Sequence, residues 1–217
     1  MLLNKKKSPI ILIGFMGTGK STIGEYLSLE NRLSFIDLDA YIEIKENKTI
    51  PDIFEELGEI GFRKIEYNYL IECTKKYDVI ATGGGVIEYN ESLNHLRQYK
   101  YIFWLDCDID VIFKRVINDN HRPNAIDKSK KQLNNLYLSR ISRYNEIAFM
   151  KVNSDKTIRE IYNEIINYLI CGWSVLERIK IIILKFKYNN FYRRRCKLTT
   201  KLSGKRIILL RIPGLSV

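Results

Sequence analysis

Residues 9–21 read Pro9-Ile-Ile-Leu-Ile13-Gly14-Phe-Met-Gly17-Thr18-Gly19-Lys20-Ser21, and this stretch decides the fold. Ile10 to Ile13 is a short apolar run halted by glycine, the pattern of a strand buried on both faces of a parallel sheet. Gly14 to Ser21 satisfies GxxxxGK[ST] at every fixed position. Beyond it Ile23, Tyr26 and Leu27 fall at helical spacing, so a helix is expected from Lys20 to about Glu30. In a strand, glycine loop and helix of this kind, successive backbone N–H groups turn inward around phosphate oxygens, and the helix N-terminus adds partial positive charge. Lys20 is expected to reach the β- and γ-phosphates and the Ser21 hydroxyl to ligate Mg²⁺. Gly17, Thr18, Gly19 and Thr22 complete the expected nucleotide cradle. Alone, the loop leaves kinase, GTPase and motor ATPase open.

The rest of the chain alternates in the same manner. Leu33–Leu38, Val79–Thr82, Tyr101–Leu105 and Ala148–Val152 read as further strands. Helices are expected at 40–47, 51–76, 90–98, 108–118, 129–146 and 157–170, with Pro51 suited to a first helical turn. Alternation of this kind predicts an α/β fold with a five-stranded parallel sheet and helices on both faces.

The formal net charge of +11 invites a nucleic-acid reading, so its location matters. Residues 1–171 hold 24 basic and 24 acidic side chains; residues 172–217 hold 12 basic ones against Glu177 alone. The excess therefore belongs to the tail, and two regions are expected: a P-loop domain over 1–171 and a basic extension over 172–217. The four cysteines are scattered with no CxxC pair, which suits reduced thiols in a cytoplasmic protein. No apolar run approaches the ~20 residues of a spanning helix, and the run after Lys5–Lys7 is too short for a signal peptide.

Four further features fall where the carboxyl ends of later strands are expected, the side on which α/β sheets bind ligands. Asp37-Leu-Asp39 ends the second strand, and alternation along a strand would put both carboxylates on one side, one toward a metal and one toward a substrate hydroxyl. Such a pair also serves as turn or helix-cap chemistry. In Gly58-Glu-Ile-Gly-Phe-Arg63-Lys-Ile-Glu66 the arginine and the acid are three apart on a helix, so Glu66 can hold Arg63 as a bidentate carboxylate receptor. Ala81-Thr-Gly83-Gly84-Gly85 permits close backbone approach at a strand end. Arg115, Arg122 and Arg140 supply cations, Arg122-Pro123 within a polar loop that reads as a lid.

In this order and spacing, residues 8–170 resemble the shikimate kinase family: the Gly-x-Met-Gly-x-Gly-Lys-Ser loop, D-x-D, G-E-x-x-F-R-x-x-E, A-T-G-G-G, an R-P lid, and R-x-x-x-Y-x-E-x-A from Arg140. The third strand ends in Ala-Thr-Gly without a Walker B aspartate, a trait the family shares. The resemblance implies a three-layer, nucleoside-kinase-like P-loop fold and transfer of the γ-phosphoryl of Mg-ATP to the 3-hydroxyl of shikimate, in aromatic amino-acid biosynthesis. By it Asp39 contacts the ring hydroxyls in a base-like or orienting role. Arg63 and Arg140 bind the carboxylate, and Gly84 meets the substrate through its backbone. Asp37 supports the Mg²⁺ site with Ser21, Arg115 lies near the nucleotide and Arg122 belongs to the lid. The chain departs from the family where Ser142 replaces the usual proline and where the lid reads Arg122-Pro-Asn-Ala125, the loss of apolar lid residues putting closure in doubt.

Another small-molecule kinase of this architecture, such as a gluconate kinase, is the rival enzyme reading, but it has no need of two arginines converging on a carboxylate. For the tail, Arg193-Arg-Arg195 beside Tyr188, Phe191 and Tyr192 could bind phosphates and stack bases, an anion- or nucleic-acid-binding reading. A plain basic extension is the expectation, and a truncated fusion is a further reading, because Leu176–Ile183 faintly resembles the start of a dehydroquinate synthase. The expected partners are ATP and shikimate alone, with no membrane or nucleic acid, and the expected state is a monomer.

Overall fold

The apolar runs assemble into one parallel sheet. The structure is a computed structural model, describing residues 8–117, 129–171, 199–202 and 205–208. Strands β1 (Ile10–Ile13), β2 (Phe35–Asp37), β3 (Val79–Ala81), β4 (Tyr101–Asp106) and β5 (Met150–Asn153) lie in the order β2-β3-β1-β4-β5. Every pairing is parallel, with Ile11 of β1 opposite Ile80 on one side and Ile102 on the other. This is the five-stranded α/β sheet expected from the sequence.

Alternation along the strands divides the core in two. Ile10, Leu12, Phe103, Leu105 and Val152 face α1 (Lys20–Asn31) and α7 (Ile158–Cys171), packing on Ile23, Leu27, Ile165 and Leu169. Ile11, Ile13, Ile80, Ile102 and Trp104 face the opposite layer, made by α2 (Leu38–Glu46), α3 (Ile50–Lys76), α4 (Asn90–Leu96) and α6 (Lys130–Ile147). Burying each such side chain contributes about 1.5–3 kcal/mol, and the two faces together make the three-layer fold. A third cluster packs Phe15 of the glycine loop with Ile112 and Val116 of α5 (Ile109–Ile117) and Leu133 of α6.

Two local readings of the sequence change. The second strand is shorter than Leu33–Leu38, because the Asp37 carboxylate caps α2 by accepting from the Ala40 N–H at 3.2 Å. Asp39 therefore sits in the first turn of α2, and strand alternation is not what aligns it with Asp37. The helix expected at 51–76 is interrupted at Gly58, whose φ of +66° and ψ of 179° break the helical path. Glycine adopts that φ without the Cβ penalty other residues meet. Its start behaves as expected, with Pro51 in the first turn and a reciprocal Thr49–Asp52 cap before it.

The chain divides into two units, Met1–Ser174 and Val175–Val217. In the second, strands β6 (Thr199–Leu202) and β7 (Lys205–Ile208) pair antiparallel, Thr199 opposite Ile208. The proposed lid arginine Arg122 and the aromatic and arginine cluster of the tail lie outside the described residues.

Candidate active site

The glycine loop leaves the C-terminal end of β1, the sheet's central strand, and enters α1 directly. Gly17 and Gly19 have φ of +75° and +84°, the left-handed conformation that turns consecutive N–H groups to one side. Lys20 is buried, and its Nζ donates to the carbonyls of Gly14 and Phe15, both at 2.9 Å. Thr18 Oγ1 donates to Phe15 O at 2.8 Å, which tightens the same turn. The Ser21 hydroxyl donates to Asp37 Oδ2, so the two oxygens assigned to the metal from sequence are direct neighbours.

A cavity of about 460 Å³ opens over this loop. It is lined by Gly17 through Ile23, by Asp37, Asp39, Thr82 and Gly84, and by Arg115, Ser154, Lys156, Ile158 and Ile161. Arg115 reaches this place from α5 by donating to Gly17 O at 3.2 Å and Ser154 O at 3.3 Å. Ser154, Lys156, Ile158 and Ile161 were not legible as site residues, since nothing in their local pattern marks them. They arrive here because β5 lies beside β4 at the edge of the sheet.

The triple glycine turn lies against a cluster of charges that shares Asp39 with the cavity, and its glycines leave space for close neighbours. A Cβ on Gly84 would stand 3.1 Å from the Met16 amide nitrogen, so turn and phosphate loop touch. A Cβ on Gly83 would meet Asp39 Oδ1 at 2.5 Å and Glu66 Oε1 at 2.7 Å, and one on Gly85 would overlap the Arg63 guanidinium. Arg140 donates to Gly84 O from the other side, Nη1 to O 3.3 Å. Asp39, Arg63 and Arg140 thus converge on three consecutive glycines, Gly84 among them. The close neighbours of the turn in this structure are charged side chains at Gly83 and Gly85 and the phosphate-loop backbone at Gly84.

The Arg63–Glu66 pair is almost wholly buried. Arg63 Nη1 donates to Glu66 Oε2 at 2.7 Å, and Nη2 donates to the exposed Glu59 at 3.4 Å. The guanidinium lies against the rings of Phe54 and Phe62, 5.8 and 5.2 Å from their centroids. Burial disfavours the Glu66 charge more than Arg63 favours it, with Asp39 adding repulsion, and its carboxyl is pushed up to about 7. Burial also opposes the Arg63 charge, but Glu66 and Glu59 outweigh it and its pKa is raised. Both directions leave Arg63 cationic, and Glu66 is the member of the pair that titrates.

Arg140 and Tyr144 come from α6, Tyr144 stacked on Trp104 with its hydroxyl donating to Gly84 O. Burial raises the Tyr144 pKa, which keeps it a neutral donor. Glu88, in the short 3₁₀ turn Val86–Glu88, accepts from Arg140 Nε at 3.1 Å and had no sequence signal.

The family model for shikimate kinase matches residues 16–170. A shikimate kinase of Staphylococcus haemolyticus (strain JCSC1435) is 92% identical over 172 residues, which are 79% of this chain and 100% of that protein. One from Staphylococcus aureus (strain JH9) is 58% identical over 168 residues, 77% of this chain and 97% of that one. Among solved structures, a shikimate kinase from Acinetobacter baumannii in complex with shikimate superposes with a TM-score of 0.71 at 31% identity, covering 77% of this chain and 96% of that one. The enzyme from Aquifex aeolicus gives 0.65 at 34% identity, over 74% and 95%. With a phosphate loop, a buried arginine–glutamate pair and a triple glycine turn built as described, the chain belongs to the shikimate kinase family.

Proposed function

We propose that the chain transfers the γ-phosphoryl of Mg-ATP to the 3-hydroxyl of shikimate, with the roles of its residues as follows. One observation carries the assignment of the two sides of the site. Arg63, Arg140 and Asp39 meet on a glycine turn whose Gly84 abuts the phosphate loop at Met16. An acceptor held by its carboxylate on the arginines has its hydroxyls toward Asp39 and the end of the nucleotide cavity.

ATP lies along Gly17, Thr18, Gly19, Lys20, Ser21 and Thr22, with Arg115 beside it. Lys20 leaves the carbonyls of Gly14 and Phe15 and turns to the β- and γ-phosphates. Ser21 and Asp37 are hard oxygen donors already in hydrogen-bond contact, a fit for Mg²⁺, which takes one or two protein oxygens and completes its shell with phosphates and water. When bound, Mg²⁺ supplies charge neutralisation on the phosphate oxygens. Asp39 orients the substrate hydroxyl and stands where its proton is released as the new P–O bond forms and the bond to the ADP oxygen breaks. Phosphoryl transfer asks little covalent chemistry of a protein, so positioned cations supply most of the rate. Arg122 is assigned to the lid over the γ-phosphate.

We take the enzyme as a cytoplasmic monomer acting on ATP and shikimate without nucleic acid, and residues 1–171 as its catalytic domain. No described helix is long and apolar enough to cross a membrane. The test is a coupled ADP-release assay on the full chain. Shikimate should drive ADP release and gluconate should not; release with gluconate at a comparable rate would overturn the substrate assignment.

A further inference from the structure

Helix α6 presents Arg140, Arg143 and Tyr144 at i, i+3 and i+4, one face of a helix. All three grip the segment 84–88. Tyr144 Oη and Arg140 Nη1 donate to Gly84 O, and Arg143 Nη1 donates to Ile87 O at 2.8 Å and to Glu88 O at 3.1 Å. These bonds end on main-chain carbonyls, so they tie helix to turn whatever side chains the turn carries. The Glu88 carboxylate does something different. It accepts from Arg140 Nε at 3.1 Å, on a guanidinium that is 9% exposed.

A guanidinium is a flat fork of five donors; packing over the Phe15 ring, 5.7 Å from its centroid, and one bond to Gly84 O still leave it rotation within its own plane. A second bond at Nε fixes that rotation. With Nε on Glu88 and Nη1 on Gly84 O, Nη2 has no hydrogen-bond partner among the described residues and remains for an incoming anion. Without Glu88, one competing attraction for Arg140 is the buried Glu66, whose Oε1 has no partner among the described residues and whose carboxyl already feels the Arg140 charge. A turn toward Glu66 would take the Arg140 charge away from a substrate.

We infer that Glu88 is a positioning residue for the acceptor, aiming the Arg140 guanidinium at the substrate carboxylate through its bond to Nε. This rests on the reading of Arg140 as a carboxylate receptor. What matters in Glu88 is an acceptor at that distance, and its half-exposed charge is secondary. Glu88→Ala should therefore raise the shikimate KM about five- to tenfold, the loss of one partly solvated charge-assisted bond, with kcat and the ATP KM within about twofold. Glu88→Gln keeps an acceptor for Nε and should remain within about twofold of the parent. Arg140→Ala should itself raise the shikimate KM, and adding Glu88→Ala to it should change nothing more.

If Arg140→Ala raises the shikimate KM and Glu88→Ala does not, the role of Glu88 is refuted while that of Arg140 stands. An unchanged shikimate KM in Arg140→Ala refutes the reading beneath it. Tighter shikimate binding in both Glu88 variants would mean that the acid merely competes for the guanidinium. Parallel losses in kcat and both KM values, with a lowered Tm that glutamine does not restore, would make Glu88 a structural residue, and each of these results overturns the inference.

Discussion

Gly85→Ala separates the room a glycine leaves from the backbone freedom it allows. Gly85 has φ −105° and ψ 5°, a conformation open to alanine, so the substitution brings no left-handed strain. The new methyl carbon would lie 2.6 Å from Arg63 Cζ and 2.8 Å from Nη1, and nearer still to Nη2. Ordinary van der Waals contact begins at 3.4 Å, so Cζ must retreat by about 0.8 Å and Nη2 by more. The methyl is fixed to the main chain, and the guanidinium is confined by Phe54, Phe62 and Glu66. The displacement therefore goes into the 2.7 Å bond to Glu66 and into the direction of the guanidinium proposed to receive the substrate carboxylate. Losing one charge-assisted hydrogen bond costs about 1.5–3 kcal/mol, and misplacing a binding group by about 1 Å has an effect of similar size. The shikimate KM should rise roughly ten- to a hundredfold, while the ATP KM stays within about twofold, because the clash lies on the Arg63 side of the turn. Steady-state ADP release with each substrate varied in turn is the assay. A folded Gly85→Ala protein with the parent shikimate KM, or one that loses ATP affinity instead, would refute the reasoning.

Lys20→Ala should lose about 10²–10³ in kcat because developing charge on the transferring phosphoryl goes uncompensated; near-parent turnover in a folded variant, by circular dichroism, would remove Lys20 from catalysis. Glu66 carries a folded-state pKa of about 7 against an ordinary 4.5. Its protonation therefore stabilises the fold fully below pH 4.5, and that contribution is lost as pH rises through about 7. Urea unfolding should show the parent losing stability relative to Glu66→Gln across this window, and identical pH slopes in the two proteins would contradict it. A chain cut after Cys171 should fold and phosphorylate shikimate at a comparable rate, since 172 residues already span the whole of the 92% identical relative; a soluble, folded and inactive product would bring the tail into the site.

What could be read from the sequence depended on how local each cause was. The phosphate loop, the Arg63–Glu66 spacing and the glycine triplet are short-range patterns, and each stands where expected. Strand alternation does not account for Asp37 and Asp39 as a pair. A strand running through Leu38 would leave both side chains on one side, whereas Asp37 uses one oxygen to cap α2 and the other to accept from Ser21. Gly58 sits in a stretch of good helix formers, and only its φ of +66° reveals the break. Glu88 was invisible because its partner is 52 residues away on another helix. Arg115 was as readable as any surface arginine until β4 and α5 brought it over Gly17.

The two halves of the site handle burial in opposite ways, and this bears on selectivity. Around the phosphate loop, Lys20 donates to the carbonyls of its own loop and the cradle is main chain. On the acceptor side, Arg63 Nε and Glu66 Oε1 are buried without a partner among the described residues. Breaking a buried pair of this kind is costly, about 3–5 kcal/mol, and so is leaving it half-satisfied. In the proposed acceptor half the groups offered to a ligand are guanidinium N–H donors, and a site built to pair such donors discriminates strongly against a ligand that cannot match them, far more than an apolar pocket discriminates by size. The acceptor half should therefore tolerate changes to the ring better than loss of the carboxylate. The glycine turn is what lets so much charge gather there, since a single methyl at 83 or 85 would occupy the place of a carboxylate or a guanidinium.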